Sequence, residues 1–149
     1  MHIIFVGNFI NSAILIPLIP LVTTLFILIL LVSFNRTINR LTKPVTALIA
    51  LSLLSSAFIS SFDYFKKIEK ELVLSEFLKL FEGTNLVLHL NFVNEKILIF
   101  FSLIIILIIG LSFKKLPRKK GYVALMICLG LISSSVMVSI LLIDFSALI

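Results

Sequence analysis

The side chains that could do chemistry are few in this sequence, and their spacing assembles no catalytic or metal site. Cys128 is the single cysteine in 149 residues, and His2 and His89 are the two histidines. A zinc site takes three or four Cys, His or carboxylate ligands, and no such set surrounds either histidine. The chain also lacks a Gly-rich phosphate loop and a Ser/His/Asp set. We therefore predict no catalytic residue, no cofactor-binding residue and no metal ligand.

Two further residues bear on function because they lie in or beside the last apolar stretch of the sequence. Free cysteines in protein interiors behave as small apolar side chains, which is our interpretation of Cys128. Asp144 follows the same stretch, and we interpret it as an interfacial helix end. Ion pathways depend on ionisable groups inside the helix bundle, so a self-contained proton or cation carrier would have to use Asp144.

Serines recur at intervals of four residues in two apolar stretches. Small residues at this spacing let helices approach closely and hydrogen-bond across the contact. The pattern predicts helix-packing positions, either between the chain's own helices or as a docking face for a helix of another protein. In the later stretch the pattern continues towards the N-terminus through Ala124 and Cys128. The five serines are Ser52, Ser56, Ser60, Ser135 and Ser139.

The composition requires a membrane to hold these residues. Hydrophobic residues make up 60% of the chain and charged residues 13%, and the mean hydropathy is +1.26. Soluble domains carry roughly 25% charged residues. A soluble globular protein, a disordered tail and a nucleic-acid-binding protein are thereby excluded, the last despite a net charge of +6.

Four stretches without acidic or basic residues divide the chain. About 20 apolar residues cross a bilayer as a helix, and the stretches predict helices near 15–34, 45–62, 97–113 and 122–143. We thus expect an all-α membrane protein, a single transmembrane domain over 1–149, with a long outside loop at 63–96.

Basic residues without any acid occupy the two short connections between these helices. The two connections are separated by two crossings, so they lie on one face, which the positive-inside tendency places in the cytoplasm. Both termini and the loop 63–96 then lie outside, in a plasma or thylakoid-type membrane. The expected partners are the lipid bilayer, including its anionic headgroups, and other membrane subunits, with no nucleic acid and no metal. The orienting residues are Arg36, Arg40, Lys43, Lys114, Lys115, Arg118, Lys119 and Lys120.

The loop between the second and third helices contains a stretch with strand periodicity. Apolar side chains alternate through Leu86–Phe92, and the turn-like residues 82–85 separate this stretch from the apolar run Phe77–Phe81. The pattern predicts a short β-hairpin on the membrane surface. The alternative is an amphipathic helix through Phe81, with apolar residues at i, i+3, i+4 and i+7 from Leu74.

In this layout, several segments resemble one known family. Leu15–Pro20 reads LIPLIP, and the segments Asn35–Asn39 and Leu86–Asn94 are placed like that family's basic first loop and outside hairpin. Gly121–Val123 followed by Ser133–Met137 resembles its fourth helix without a gap. The family is the antiporter-like large subunit of complex I-type NAD(P)H-quinone dehydrogenases, in its cyanobacterial and plastid form.

The resemblance implies membership of a proton-translocating quinone dehydrogenase without proton-path residues in this chain. In the family a Trp-Glu motif follows in the next helix, beyond Ile149, and a Leu-Asp turn stands where this chain has Val93-Asn94. A basic Leu116–Lys120 replaces the family's acidic stretch. We expect a non-catalytic, accessory or truncated piece of such a subunit. The alternative is an unrelated four-helix membrane protein that acts as an assembly or helper subunit.

Overall fold

Four long helices dominate the computed structural model, which describes residues 12–66, 70–73, 87–117 and 121–143. A short helix lies in the first basic connection, and two short strands lie between the second and third long helices. In chain order the elements are α1 (Ser12–Ser33), α2 (Asn35–Ile38), α3 (Thr42–Lys66), β1 (Lys70–Val73), β2 (Val87–Leu90), α4 (Phe92–Lys115) and α5 (Tyr122–Leu142).

The four long helices are each long and apolar enough to span a membrane. Large apolar side chains cover their outer surfaces; Phe26, Phe58 and Phe100, for example, are 59%, 72% and 68% exposed. Exposed apolar area on this scale is unfavourable in water and suits a lipid environment. The predicted architecture of four long apolar helices is confirmed, and it indicates a multi-pass membrane protein.

Successive long helices run in opposite directions, so the bundle has two chemically different ends. The hydroxyls of Thr46, near the start of α3, and of Tyr122, at the start of α5, lie 3.3 Å apart. Asn94, near the start of α4, reaches the end of α5. We name the end that contains α2, where α4 finishes and α5 begins, the basic end, and the end where α3 finishes and α4 begins the acidic end.

Apolar side chains from all four long helices fill the interior of the bundle. The most extensive packing joins α3 to α4 and α1 to both α3 and α5. Ile16, Ile49, Leu98 and Met126 are fully buried. The bundle therefore has one continuous core in which α3 is the central helix.

Helix α1 begins at Ser12, three residues before the predicted start, and this places both of its prolines well inside the helix. A proline has no backbone N–H, so it cannot bond the carbonyl four residues earlier. Pro20 therefore leaves the carbonyl of Ile16 without its intrahelical donor. In a membrane such a carbonyl must find another partner, and the structure supplies one from α3.

Two helix boundaries at the acidic end differ from the prediction. Helix α3 continues to Lys66 and α4 already begins at Phe92, whereas the predicted helices stopped at 62 and began at 97. Asp63 and Glu95, predicted to lie in the loop, are helical and buried. The prediction ended each helix at its first charged residue, because it took only stretches without charged residues as helical. In the structure neighbouring helices bury the side chains of both Asp63 and Glu95. Glu95 also lies in the first turn of α4, where an acidic side chain interacts favourably with the helix dipole.

The strands β1 and β2 pair antiparallel, with Lys70 opposite Leu90 and Val73 opposite Val87. Strand β2 falls inside the stretch with predicted strand periodicity, but its partner is β1 rather than the run 77–81. That run and the turn 82–85 lie outside the described residues, as does most of the alternative helix. The predicted hairpin of these segments stays a prediction.

Candidate functional site

An aromatic and cationic contact holds the helix ends together at the acidic end. The rings of Tyr64 in α3 and Phe92 in α4 stack with centroids 4.4 Å apart. Lys96, one turn after Phe92, places its Nζ 4.4 Å from the Phe92 centroid and 5.8 Å from that of Tyr64. A cation–π contact contributes roughly 0.5–1 kcal/mol at an exposed site and more where it is desolvated. These contacts fix the last turn of α3 against the first turn of α4.

Beside this contact, polar side chains of α3 and α4 are buried. Asp63 is 5% exposed and Glu95 1%, and they are the only acidic or basic side chains buried in the described part of the chain. Ser60, one turn before Asp63, is fully buried as well. Within the described residues, the Ser60 Oγ and the Asp63 Oδ2 receive no hydrogen bond. A carboxyl group in such a place is a candidate functional group.

At the same end, the side chain of Asn94 forms hydrogen bonds with the last carbonyls of α5. Its Nδ2 donates to the carbonyl of Ile140 over 3.3 Å and to that of Ile143 over 3.0 Å. These carbonyls belong to the last turn and the C-cap of α5, where intrahelical donors run out. Asn94 thus caps α5 from the first turn of α4.

The three serines predicted as packing positions on α3, Ser52, Ser56 and Ser60, lie inside the bundle. Ser56 Oγ donates to the carbonyl of Ile16 in α1 over 2.7 Å, which is the carbonyl that Pro20 leaves without an intrahelical donor. Ser52 Oγ instead donates to Ile49 within its own helix over 2.8 Å. The serine repeat of α3 therefore faces the chain's own helices, with Ser56 making the bond between them.

Close contact between α1 and α5 depends on Gly130. A Cβ at this position would overlap the Cγ2 of Thr24 in α1 and lie 3.7 Å from the Cγ2 of Ile49 in α3. Three helices thus meet at one small residue. Thr24 satisfies its own hydroxyl by donating to Pro20 over 2.8 Å, so the contact leaves no buried polar atom there without a partner.

The serines predicted on the last helix face outward. Ser135 and Ser139 are exposed, and their hydroxyls donate to the carbonyls of Leu131 and Ser135, within the helix. Cys128 is exposed as well, so our interpretation of it as an interior packing residue is wrong. The buried serines of α5 are Ser133 and Ser134. We name the exposed set Ala124, Cys128, Ser135 and Ser139 the α5 stripe.

The basic residues in the described connections are exposed and cluster at the basic end. Arg118, Lys119, Lys120, His2 and Asp144 lie outside the described residues, and the side chain of His89 in β2 is not described. Within the described ranges no group of three or more His, Cys, Asp or Glu side chains is placed to hold a metal ion. The exposed basic side chains at the basic end are Arg36, Arg40, Lys43, Lys114 and Lys115.

The prediction missed the buried residues Asp63, Asn94 and Glu95, although a signal for Asp63 is present in the sequence. Asp63 follows Ser60 at i+3, so it continues the face formed by Ser52, Ser56 and Ser60. Extending the serine pattern by one helical turn would have placed Asp63 inside. Asn94 carries no such signal, because its role depends on where α5 ends in space.

Comparison of the chain with protein-family models, with curated proteins and with solved structures gives no match.

Proposed function

We propose that this chain is a non-catalytic membrane subunit that docks on another transmembrane protein through the α5 stripe. The observation that carries the proposal is the outward position of small residues on α5. Lipid chains pack equally well against large apolar side chains, which cover most of the remaining outer surface. Small residues instead let a second helix come close and exchange hydrogen bonds with serine hydroxyls.

The interior of the bundle supports an accessory role over ion transport by the chain alone. Asp63 and Glu95 both lie at the acidic end. Towards the basic end the described core consists of side chains such as Leu53, Ile49 and Met126. The hydroxyls of the buried residues Ser52 and Ser56 donate hydrogen bonds to helix carbonyls. A proton path needs a relay of ionisable groups or water, and this packing offers neither among the described residues.

The resemblance to the antiporter-like subunit of NAD(P)H-quinone dehydrogenases names a candidate assembly. In that arrangement the basic end faces the cytoplasm or its equivalent. Both termini and the segment 67–91, with its expected hairpin, then lie on the opposite side. The chain would occupy the place of the subunit's first helices and would contribute packing rather than proton-path residues.

Native gel electrophoresis of membranes solubilised in mild detergent tests the proposal. We expect the chain to migrate in an assembly far larger than 16.7 kDa, and in-gel NAD(P)H oxidation in the same band would identify a dehydrogenase. Migration in a large band without this activity would favour the alternative, an assembly or helper subunit of another membrane protein. Migration alone would contradict the docking proposal.

Cys128 provides a direct probe of the α5 stripe, because it is the chain's single cysteine and is exposed. A thiol-reactive crosslinker in native membranes should join it to the partner. The double variant Ser135→Leu/Ser139→Leu should abolish the crosslink and the large band. The matched control is Ser33→Leu, which changes an exposed serine at the end of α1 and should leave both intact. Equal loss in the control would argue against the α5 stripe.

A further inference from the structure

A groove with a volume of about 300 Å³ opens between α3 and α4 at the basic end. It lies at the first turns of α3 and the last turns of α4. The walls are almost entirely apolar, and one cationic side chain stands at the rim. Its lining includes Lys43, Ala47 and Ala50 from α3 and Ile106, Gly110 and Phe113 from α4.

The groove exists because small residues face each other where the two helices approach the basic end. Ala47 and Ala50 supply one wall and Gly110 the other. A Cβ added at Gly110 would meet no atom within 4 Å. The neighbouring Thr46 hydroxyl already donates to the carbonyl of Thr42 over 2.7 Å. Water filling the groove would therefore find few polar partners.

In a bilayer an unfilled apolar groove open to the lipid is occupied by acyl chain, since empty space forfeits dispersion contacts. From Lys43 to Ala50 the groove extends over seven residues of helix, roughly 10 Å at 1.5 Å per residue. That length corresponds to the upper part of one acyl chain below its headgroup. Ile106 and Phe113 close the wall on the α4 side.

The charges around the groove select the kind of headgroup. Lys43 lines the groove and is exposed, and Lys114 and Lys115 follow Phe113 in the last turn of α4. Asp63 and Glu95, the acidic side chains of the described helices, lie at the acidic end. Basic pockets between transmembrane helices on this side of a membrane bind anionic lipid headgroups.

We propose that the groove is a binding site for one anionic phospholipid, with an acyl chain along Ala47, Ala50 and Gly110 and the phosphate at Lys43. Lys114 and Lys115 supply further positive charge at the headgroup level. The site is independent of the α5 stripe, so the purified chain has it without any partner protein.

Native mass spectrometry of the delipidated full chain in detergent tests the site. Phosphatidylglycerol and phosphatidylcholine with identical acyl chains are added back in competition, and the bound lipid is identified by mass. We expect one retained phosphatidylglycerol in preference to phosphatidylcholine. Lys43→Gln should reduce this preference roughly five-fold, the equivalent of about 1 kcal/mol per lysine near the membrane surface. Arg36→Gln, which removes a charge on α2 outside the groove, should change it much less.

Variants that fill the groove test whether lipid binding depends on the groove itself or only on the positive charge around it. Gly110→Leu should expel the lipid, and Gly110→Ala should weaken it while leaving the fold intact. Ala124→Leu, the same kind of change on the exposed face of α5, should retain it. Equal retention of the two lipids would overturn the proposal. So would equal losses in Lys43→Gln and Arg36→Gln, or unchanged binding in both Gly110 variants. Retention of inorganic phosphate equal to that of phosphatidylglycerol would also overturn it, because it would show a site for an anion and not for a lipid.

Discussion

The carbonyl of Ile16 shows how single residues compensate for one another inside this bundle. Pro20 removes its intrahelical donor, and the hydroxyl of Ser56 replaces that donor from α3. A buried carbonyl without a donor costs about 1–3 kcal/mol in proteins. Ser56 therefore compensates for the proline in α1 and also fixes α1 against α3.

Ser56→Ala should lower the free energy of unfolding in detergent by about 1–3 kcal/mol, because it leaves the Ile16 carbonyl buried without a donor. In the background of Pro20→Ala the restored backbone N–H should bond that carbonyl, so the same serine change should cost much less. Ser52→Ala is the control, since Ser52 bonds only its own helix. Additive effects of the Ser56 and Pro20 changes would show that the two residues do not share this carbonyl.

At the scale of the elements, the helices differ in how they are held. Helices α1, α3 and α5 meet at Gly130, where the side chains of Thr24 and Ile49 pack against the glycine. The end of α5 is fixed by a side chain from α4, because Asn94 donates to its last carbonyls. Helix α4 itself packs chiefly on α3. The close contact near the middle of the bundle and the polar cap at its acidic end thus add to the hydrogen bond from Ser56 and to the stacking of Tyr64 on Phe92.

Gly130→Ala should strongly destabilise the bundle, because the new Cβ would overlap Thr24 and force α1 and α5 apart. Overpacking of a tight core typically costs about 1–3 kcal/mol. Gly110→Ala provides the matched control in α4, since a Cβ there meets no atom within 4 Å. The midpoint of thermal unfolding in detergent reports the difference. Equal midpoints for the two variants would contradict the close contact of α1 with α5.

Asn94→Ala should loosen the C-terminal turn of α5, because the carbonyls of Ile140 and Ile143 lose their donor. We expect faster hydrogen–deuterium exchange in the last turn of α5 and a loss of about 1–2 kcal/mol in stability. Asn35→Ala, at an exposed site on α2, should leave both quantities near their original values. Unchanged exchange in the Asn94 variant would remove the capping role.

For the whole molecule, charge separates the two ends of the bundle. The exposed arginines and lysines of the described short connections lie at the basic end, whereas Asp63 and Glu95 are buried at the other end. A membrane spanned by four helices places these ends on opposite sides. The orientation is therefore a property that can be measured with one reporter at each end.

Cysteine labelling should show opposite sidedness for the two ends. In a Cys128→Ala background, Arg36→Cys should react with an impermeant maleimide only from the cytoplasmic side of sealed vesicles. Lys96→Cys, exposed at the acidic end, should react only from the other side. The Cys128→Ala chain alone serves as the unlabelled control. Labelling of both cysteines from one side would contradict the four-span topology, and exchanged sides would contradict the proposed orientation.

The number of long apolar helices, their approximate positions and the clustering of basic residues in two connections all follow from the sequence alone. These properties are local, because apolar length and charge follow directly along the chain. The inward position of Ser56, the outward position of Ser135 and the burial of Asp63 and Glu95 depend instead on how the helices pack together. Helices that are apolar on every side carry no amphipathic stripe to distinguish the interior from the lipid. The contacts between the helices alone decide which residues become core and which become surface.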